Sequence, residues 1–185
     1  VYNLVYDPEQ VQPTAFAGHE IWDFSLENGE KWRAAGRKAK HVPLGYHPSM
    51  RTFTMKPWAE RDIDVVFTGC LNERRNSVLQ ALRDRGLRVV TVGPGAAYGA
   101  ERDEILSRSK LALNMLWAEG ALYPSLRAAH AAANGLTMLS EWGKGKPVWA
   151  GLSCEHAELA RIAEGIVRDQ RKAEQLATWS REAFA

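Results

Sequence analysis

Cysteine is scarce in this sequence, with two among 185 residues. Cys70 and Cys154 lie far apart and belong to no C-x-x-C or cysteine–histidine pattern, so the ligand spacing of a zinc site is missing. A disulfide between them has little support, and a reduced, cytoplasmic protein is the better prediction. Metal-ligand spacing is equally missing from four early candidates, so we predict no metal site there: His19, Asp23, His41 and His47.

Long apolar runs and a large excess of charge are also missing. No run approaches the roughly 18 to 20 apolar residues that cross a bilayer, and the chain does not open with a signal-peptide pattern. We therefore predict no membrane span. The formal net charge is +2, and basic residues are scattered among acidic ones. This argues against a broad nucleic-acid-binding face without excluding nucleic acid, and it leaves room for a local phosphate site.

The composition is that of a globular protein, with 45% hydrophobic and 25% charged residues. A chain of 185 residues suits one domain, or one domain with a piece of another. It starts at Val1 and enters an apolar run, VYNLVY, at once. We expect from this that the sequence begins within a domain.

Short apolar runs alternate with longer amphipathic runs, which is the pattern of βα units and a parallel sheet. We predict strands over residues 1–6, 20–25, 40–46, 62–69, 87–93, 110–117 and 136–141. We predict helices over residues 26–36, 72–86, 100–109, 154–168 and 170–183, and one more that starts near Pro124 or Ser125 and is stopped by Gly135. The fold class is therefore α/β, with a Rossmann-like parallel sheet of about four strands from residue 62 onward and flanking helices.

Four segments follow from this pattern. Residues 1–46 form a partial α/β segment, and residues 47–61, which hold two prolines and lack clean periodicity, form a linker. Residues 62–150 form the Rossmann-like domain, and residues 151–185 form C-terminal helices. Ligands of such sheets bind outside the carboxyl ends of the strands. The predicted strand ends are Thr68–Gly69, Gly93–Pro94, residues 114–117 and Ser140–Glu141.

The first of these ends reads FTGCLNERR. Gly69 would let a ligand approach the backbone, and Arg74 and Arg75 fall in the first turn of the next helix, where phosphate is favoured. The alternative is that both arginines are solvated surface residues, paired with Glu73 or Asp103. Neither a Walker loop nor a GxGxxG motif is present.

Other strand ends carry further candidates. Asn114 is a polar residue in an apolar strand, so it either satisfies a backbone group or faces the ligand cleft. The VGPGAAYG loop at 92–99 either wraps a base or sugar or is a plain turn, and the turn is favoured. His156 is predicted on a solvated helix.

The stretch LYPSLRAAHAAANG, residues 122–135, is the strongest site. Ser125 and Arg127 would lie in the first turn of a helix, with His130 one turn later on the same face. Free N–H groups, a hydroxyl and a guanidinium would then converge on a spot suited to a diphosphate. His130 would touch ribose or phosphate or move a proton, or it is a hydrogen-bonded histidine on a partly buried face. The alanines around it predict close packing on the sheet.

Several motifs taken together resemble glycosyltransferases of the GT-B fold, in the group that includes spore-maturation-type proteins. YNLVYDPEQ, IWDFSLENGEKW and HVPLGYHPSM are similar to that group's YNxEQ strand, W-D-Y-S-x-x-N segment and P-x-G-Y turn. VVFTGCLNERR, LALNMLW and YPSLRAAHAAANGLTMLSE are similar to its donor-binding domain, in the same order. The resemblance covers most of the chain and rests on short motifs.

The resemblance implies transfer of a sugar from a nucleotide-sugar donor to an unknown acceptor, with the donor as substrate and without a metal or other cofactor. Residues 1–46 would then be part of an acceptor-side domain. The donor would be bound by nine residues: Gly69, Arg74, Arg75, Asn114, Tyr123, Ser125, Leu126, Arg127 and His130. The catalytic residues stay unassigned, with Asp7, Glu9, His19 and Asp23 as unranked candidates for the base.

Two differences from the family leave other functions open. His130 stands where the family usually carries a glutamate in R-x-x-E-A-x-A-x-G, and the chain is shorter than a two-domain enzyme. A non-catalytic nucleotide-binding module, or a truncated subunit that needs a partner chain or a homo-oligomer for its acceptor site, is the alternative. A third interpretation uses some of the seven tryptophans as a subunit interface.

Overall fold

The computed structural model describes residues 2–3 and 16–185. The chain divides into two compact units, Val1–Gly45 and Tyr46–Ala185. Among the described residues, none of the helices combines the length and the apolar character that crossing a bilayer requires.

The described part of the first unit contains a parallel sheet with the strand order β1-β2-β3. Its elements are β1 (Tyr2–Asn3), β2 (Ile21–Asp23), α1 (Leu26–Ala34) and β3 (Ala39–His41). Asp23 is buried and accepts hydrogen bonds from the Ser25 N–H (2.9 Å) and from Trp32 Nε1 (3.1 Å). Asp23 therefore holds the start of α1 in place. The rest of the strand predicted over residues 1–6, together with Asp7 and Glu9, lies outside the described residues.

The second unit, described throughout, is built on a five-stranded sheet in which every pairing is parallel, with the order β5-β4-β6-β7-β8. Its strands are β4 (Ile63–Thr68), β5 (Val89–Val92), β6 (Ser109–Asn114), β7 (Met138–Glu141) and β8 (Leu152–Cys154). Its helices are α2 (Glu73–Asp84), α3 (Ala100–Ser107), α4 (Ser125–Ala133), α5 (Leu159–Val167) and α6 (Gln170–Phe184). The prediction of an α/β fold with a Rossmann-like parallel sheet and flanking helices is confirmed.

Strand β8 is one strand more than the four that we predicted from residue 62 onward. It pairs with β7 in the register Leu139↔Leu152 and Glu141↔Cys154. With three residues, β8 is too short to show a period-2 pattern, and it follows Gly151, whose φ is 79°. The sequence pattern at this point blends into the helices that follow, so the strand was missed.

The sheet is buried on both faces, which explains the continuous apolar run of β4. One face packs on α2 and α5, and the other packs on α3 and α4. The first cluster includes Val65, Phe67, Leu79, Leu82, Leu113 and Ile166. The second cluster includes Val66, Leu106, Ala112, Ala128, Ala131 and Met138.

Helix α4 is alanine-rich because it is packed on two sides. Ala128 and Ala131 lie against the sheet, whereas Ala129 and Ala132 pack with Phe184 of α6. Side chains larger than alanine would push these layers apart. The close packing that the alanines predict is therefore present.

Residues 47–61, for which we predicted a linker, pack on α4 within the second unit. The segment contains two single 3-10 turns, Pro48–Met50 and Trp58–Glu60. Asn134, at the end of α4, accepts hydrogen bonds from the N–H groups of Thr52 (2.8 Å) and Phe53 (3.0 Å). Its amide nitrogen donates to Met50 O at 2.9 Å.

We expect Asn134→Ala to lower the free energy of unfolding by about 2 kcal/mol, because two partly buried N–H groups lose their acceptor. Urea denaturation followed by circular dichroism measures the change. Asn76→Ala, at an exposed position of α2, is the matched control and should stay within about 0.5 kcal/mol of the parent. Equal stability of the two variants would show that Asn134 does not anchor the segment.

Candidate functional site

Three of the predicted residues meet at the carboxyl edge of the sheet. Arg127 Nη1 donates to Asn114 Oδ1 at 2.6 Å, and Asn114 Nδ2 donates to Ser140 Oγ at 2.6 Å. Gly69 has φ 142°, and a Cβ atom placed on it would lie 3.4 Å from Arg127 Nη2. We call Gly69, Asn114, Leu126 and Arg127 the edge site.

Arg127 has an unusual electrostatic environment. It is half-buried, and no carboxylate of the described residues lies within ion-pair distance of it. Burial, together with the smaller effect of the positive charge of Arg75, lowers the pKa of Arg127 to about 10. A guanidinium that has lost water without gaining a counter-ion favours a bound anion.

The start of α4 adds to this preference. Its N-cap residue is Pro124, whose side chain makes no capping hydrogen bond. The Ser125 N–H already donates to Tyr123 O (2.8 Å), and the Arg127 N–H donates to Pro124 O (3.1 Å). Within the described residues, this leaves the Leu126 N–H as the unbonded amide of the first turn, fewer than the several free groups we predicted. The positive end of the helix dipole lies at the same place.

Arg75 is not the solvated surface residue that one of the two alternatives describes. It is buried, and its Nε, Nη1 and Nη2 donate to the carbonyls of Leu116 (3.1 Å), Cys70 (2.7 Å) and Met115 (2.7 Å). Burial lowers its pKa. Arg75 therefore connects the loops after β4 and β6. Its positive charge also lowers the pKa of Arg127.

Arg74 makes a bidentate ion pair with Glu141, the last residue of β7. Its Nη1 donates to Glu141 Oε2 at 2.7 Å, and its Nη2 donates to Oε1. The Leu116 N–H donates to the same carboxylate at 3.1 Å. Burial alone would raise the pKa of Glu141, but the bonds from Arg74 and Leu116 outweigh it and lower the pKa. The same pair raises the pKa of Arg74.

The sequence analysis placed Glu141 at a strand end but did not identify it as the partner of Arg74. The signal for Glu141 was an acidic residue that ends an apolar strand, which is costly to bury unless a cation pairs with it. His156 is also placed differently from the prediction. It begins a single 3-10 turn and not a solvated helix, and its buried Nδ1 lies 3.4 Å from Glu141 Oε2.

The carboxyl edge consequently carries an excess of positive charge. Three guanidinium groups, those of Arg74, Arg75 and Arg127, lie at this edge with the carboxylate of Glu141, and Glu119 acts on Arg74 through its charge. Glu141 is fully engaged by Arg74. The charge that remains uncompensated is centred on Arg127 and Arg75.

Tyr123 and Ser125 are buried and shape the turn before α4. The Tyr123 hydroxyl donates to Ala150 O at 3.1 Å, and burial raises the pKa of Tyr123 to about 12. Ser125 Oγ donates to Tyr123 O at 3.4 Å. Leu126, by contrast, is exposed.

His130 lies against the segment that precedes β4. Its Nε2 is 3.0 Å from Thr52 Oγ1 and 3.9 Å from the Asp103 carboxylate, and its ring meets that of Phe53 edge-on at 5.6 Å. Burial lowers the pKa of His130, and the positive charge of Arg102 acts in the same direction. This is the hydrogen-bonded, partly buried histidine that the sequence left as the alternative.

The remaining candidates are scattered. No group of three potential metal ligands occurs among residues 2–3 and 16–185. Cys70 is exposed, Cys154 is buried, and both are free thiols. In the loop at 92–99, the Gly95 N–H donates to the Tyr98 hydroxyl at 3.1 Å, which is typical of a self-contained turn.

Comparison with known proteins gives a likeness of fold. No protein-family model matches the chain, and no curated protein matches it. Among solved structures, a chain in the crystal structure of accessory secretory protein 1, 2 and 3 in Streptococcus pneumoniae matches with a TM-score of 0.54 and 8% sequence identity. The match covers 90% of this chain and 40% of that chain. The chain thus spans less than half the length of the protein it matches.

Because burial lowers the pKa of His130 in the native state, unfolding takes up a proton as the pH falls towards and below about 6.5, the pKa of an exposed histidine. The contribution of His130 to stability is therefore present at higher pH and is lost as the pH falls through the lowered pKa. The free energy of unfolding, measured by urea denaturation, should fall between pH 7.5 and pH 5.5 in the parent protein. We expect this fall to be smaller in His130→Gln. Identical losses in parent and variant would contradict this assignment.

Proposed function

We propose that the chain is the donor-binding part of a GT-B-type glycosyltransferase, which binds a nucleotide-diphosphate sugar at the edge site and transfers the sugar to an acceptor. The observation that supports this most is the half-buried Arg127, which lies at the start of α4 and has no carboxylate partner among residues 2–3 and 16–185. A diphosphate is the anion that this arrangement suits, because the forked guanidinium and a helix N-terminus both bind phosphate oxygens.

Each residue of the proposed donor site has a physical role. Arg127 and the Leu126 N–H bind phosphate oxygens, and Asn114 orients the guanidinium. Gly69 keeps the space beside Arg127 Nη2 open for the ligand. Four further residues would support the donor site indirectly, through their charge and packing: Arg74, Arg75, Tyr123 and Ser125.

This arrangement suits metal-independent chemistry. When the bond between the sugar and the nucleoside diphosphate breaks, negative charge grows on the departing phosphate oxygen. Fixed positive groups that are already in place stabilise that charge without reorganising. Arg127, the charge of Arg75 and the dipole of α4 would supply this stabilisation.

A second candidate function is a nucleotide-binding module without transferase activity, and His130 is the observation that favours it. In the resembled family a glutamate at this position contacts the donor ribose, whereas His130 is engaged by Thr52 and Phe53. A module of this kind would work with a partner chain. The structural match is to a crystal structure that contains three accessory secretory proteins.

We expect Arg127→Ala to weaken binding of a nucleotide sugar by about ten- to hundredfold, the value of a hydrogen bond to a charged group. Isothermal titration calorimetry with UDP-, GDP- and TDP-glucose measures this. Arg83→Ala, which removes an exposed guanidinium from α2, is the matched control and should bind as the parent does.

Failure of the parent to bind any of the three donors, or an unchanged affinity in Arg127→Ala, would contradict the donor site. Donor hydrolysis or sugar transfer by the chain alone would exclude the non-catalytic module. Binding without any turnover would favour that module over the transferase.

A further inference from the structure

Trp117 lies just beyond the edge site, and more than half of it is exposed. It follows β6 by three residues and has a relative exposure of 56%. Leu71, in the loop after β4, is 45% exposed. Both residues therefore present large apolar side chains to water in loops at the carboxyl edge of the sheet.

The backbone beneath Trp117 is fixed by the N-terminal turn of α2. Three consecutive carbonyl groups each accept a hydrogen bond from it: Met115 from Arg75 Nη2 (2.7 Å), Leu116 from Arg75 Nε (3.1 Å) and Trp117 from Asn72 Nδ2 (3.0 Å). The Leu116 N–H is bound by Glu141 at 3.1 Å. The loop that presents the indole is therefore rigid, which lowers the entropy cost of binding.

The indole ring of Trp117 makes a cation–π contact with Arg75. The Arg75 guanidinium lies over two rings, 5.3 Å from the centroid of Phe67 and 5.2 Å from that of Trp117. Arg75 lies over one face of the Trp117 ring, and the opposite face, which we call the outer face, is where a residue with 56% exposure can meet solvent. Such a cation–π contact fixes the plane of the ring.

The platform and the phosphate-binding residues lie within reach of one ligand. Asn114, which holds Arg127, precedes Trp117 by three residues, so their Cα atoms are at most about 11 Å apart. Arg75 stacks on Trp117 and also adds its charge to the environment of Arg127. A nucleoside diphosphate with its phosphates at Arg127 can extend along this edge to the indole.

We propose that the outer face of Trp117 is a stacking platform for the base of the bound nucleotide and that it accepts purines and pyrimidines alike. This inference rests on the proposed donor site. Tolerance follows because the polar side chains beneath the platform are engaged: Asn72 binds Trp117 O and the Arg75 N–H, and each Arg75 nitrogen donates to a carbonyl. What the platform offers is a π-face, which every base can use.

The test is calorimetric titration of the full chain with ADP, UDP and inorganic pyrophosphate. The variant is Trp117→Leu, which keeps an apolar side chain over Arg75. Trp179→Leu is the matched control, because Trp179 is 49% exposed on α6. Thermal melts of both variants verify that the fold is retained, and a variant that melts early is replaced by Trp117→Phe, for which a smaller loss is expected.

The parent should bind ADP and UDP about tenfold tighter than pyrophosphate, with the two nucleotides within about threefold of each other. Trp117→Leu should bring both nucleotides to the pyrophosphate level and leave pyrophosphate unchanged, whereas Trp179→Leu should change nothing. Pyrophosphate binding as tight as nucleotide binding, or nucleotide affinity that is independent of Trp117, would overturn the platform while leaving the donor site intact. No binding of any of the three ligands would overturn the proposed donor site itself.

Discussion

The carboxyl edge of the large sheet is arranged around a cation, Arg127, that pairs with none of the acids in the described part of the chain. Arg127 gives up much of its hydration at the start of α4, and one amide oxygen, that of Asn114, receives its hydrogen bond. Asn114 is itself completely buried between two strands and is oriented by Ser140. The position of this charge is therefore fixed by the sheet and does not depend on a flexible loop.

The neighbouring arginines show by contrast how the same chain treats a cation that has a structural role. Arg74 forms an ion pair with Glu141. Arg75 donates hydrogen bonds to three carbonyl groups and makes cation–π contacts with two aromatic rings. Both hold the loops after β4 and β6 in fixed positions around the edge site. Removing one partner of a buried ion pair costs about 3–5 kcal/mol of folding free energy. The Arg74–Glu141 pair therefore stabilises the loop positions on which the proposed phosphate contact depends.

The sequence predicts the fold better than it predicts the contacts. The alternation of apolar and amphipathic runs is enough to identify a parallel α/β sheet, and the alanines of α4 correctly indicate close packing. The strand β8 was missed because three residues carry no periodicity. Arg74 and Arg75 are adjacent and identical in the sequence, yet one meets a carboxylate on β7 and the other meets carbonyls after β6. Such long-range partners depend on strand order, which the local pattern does not contain.

His130 illustrates the same limit. Helical spacing correctly places it one turn from Arg127, but its partner Thr52 lies 78 positions earlier in the chain. The segment that carries Thr52 has no regular periodicity, so no sequence pattern could bring it to α4.

A crystal structure of the chain with a bound nucleoside diphosphate would test the central claim most directly. The account predicts phosphate oxygens at about 2.7 to 3.2 Å from the Arg127 guanidinium and from the Leu126 N–H, with Arg74 still paired to Glu141. A nucleotide bound elsewhere on the chain, or an Arg127 that makes no contact with phosphate at saturating ligand, would contradict it.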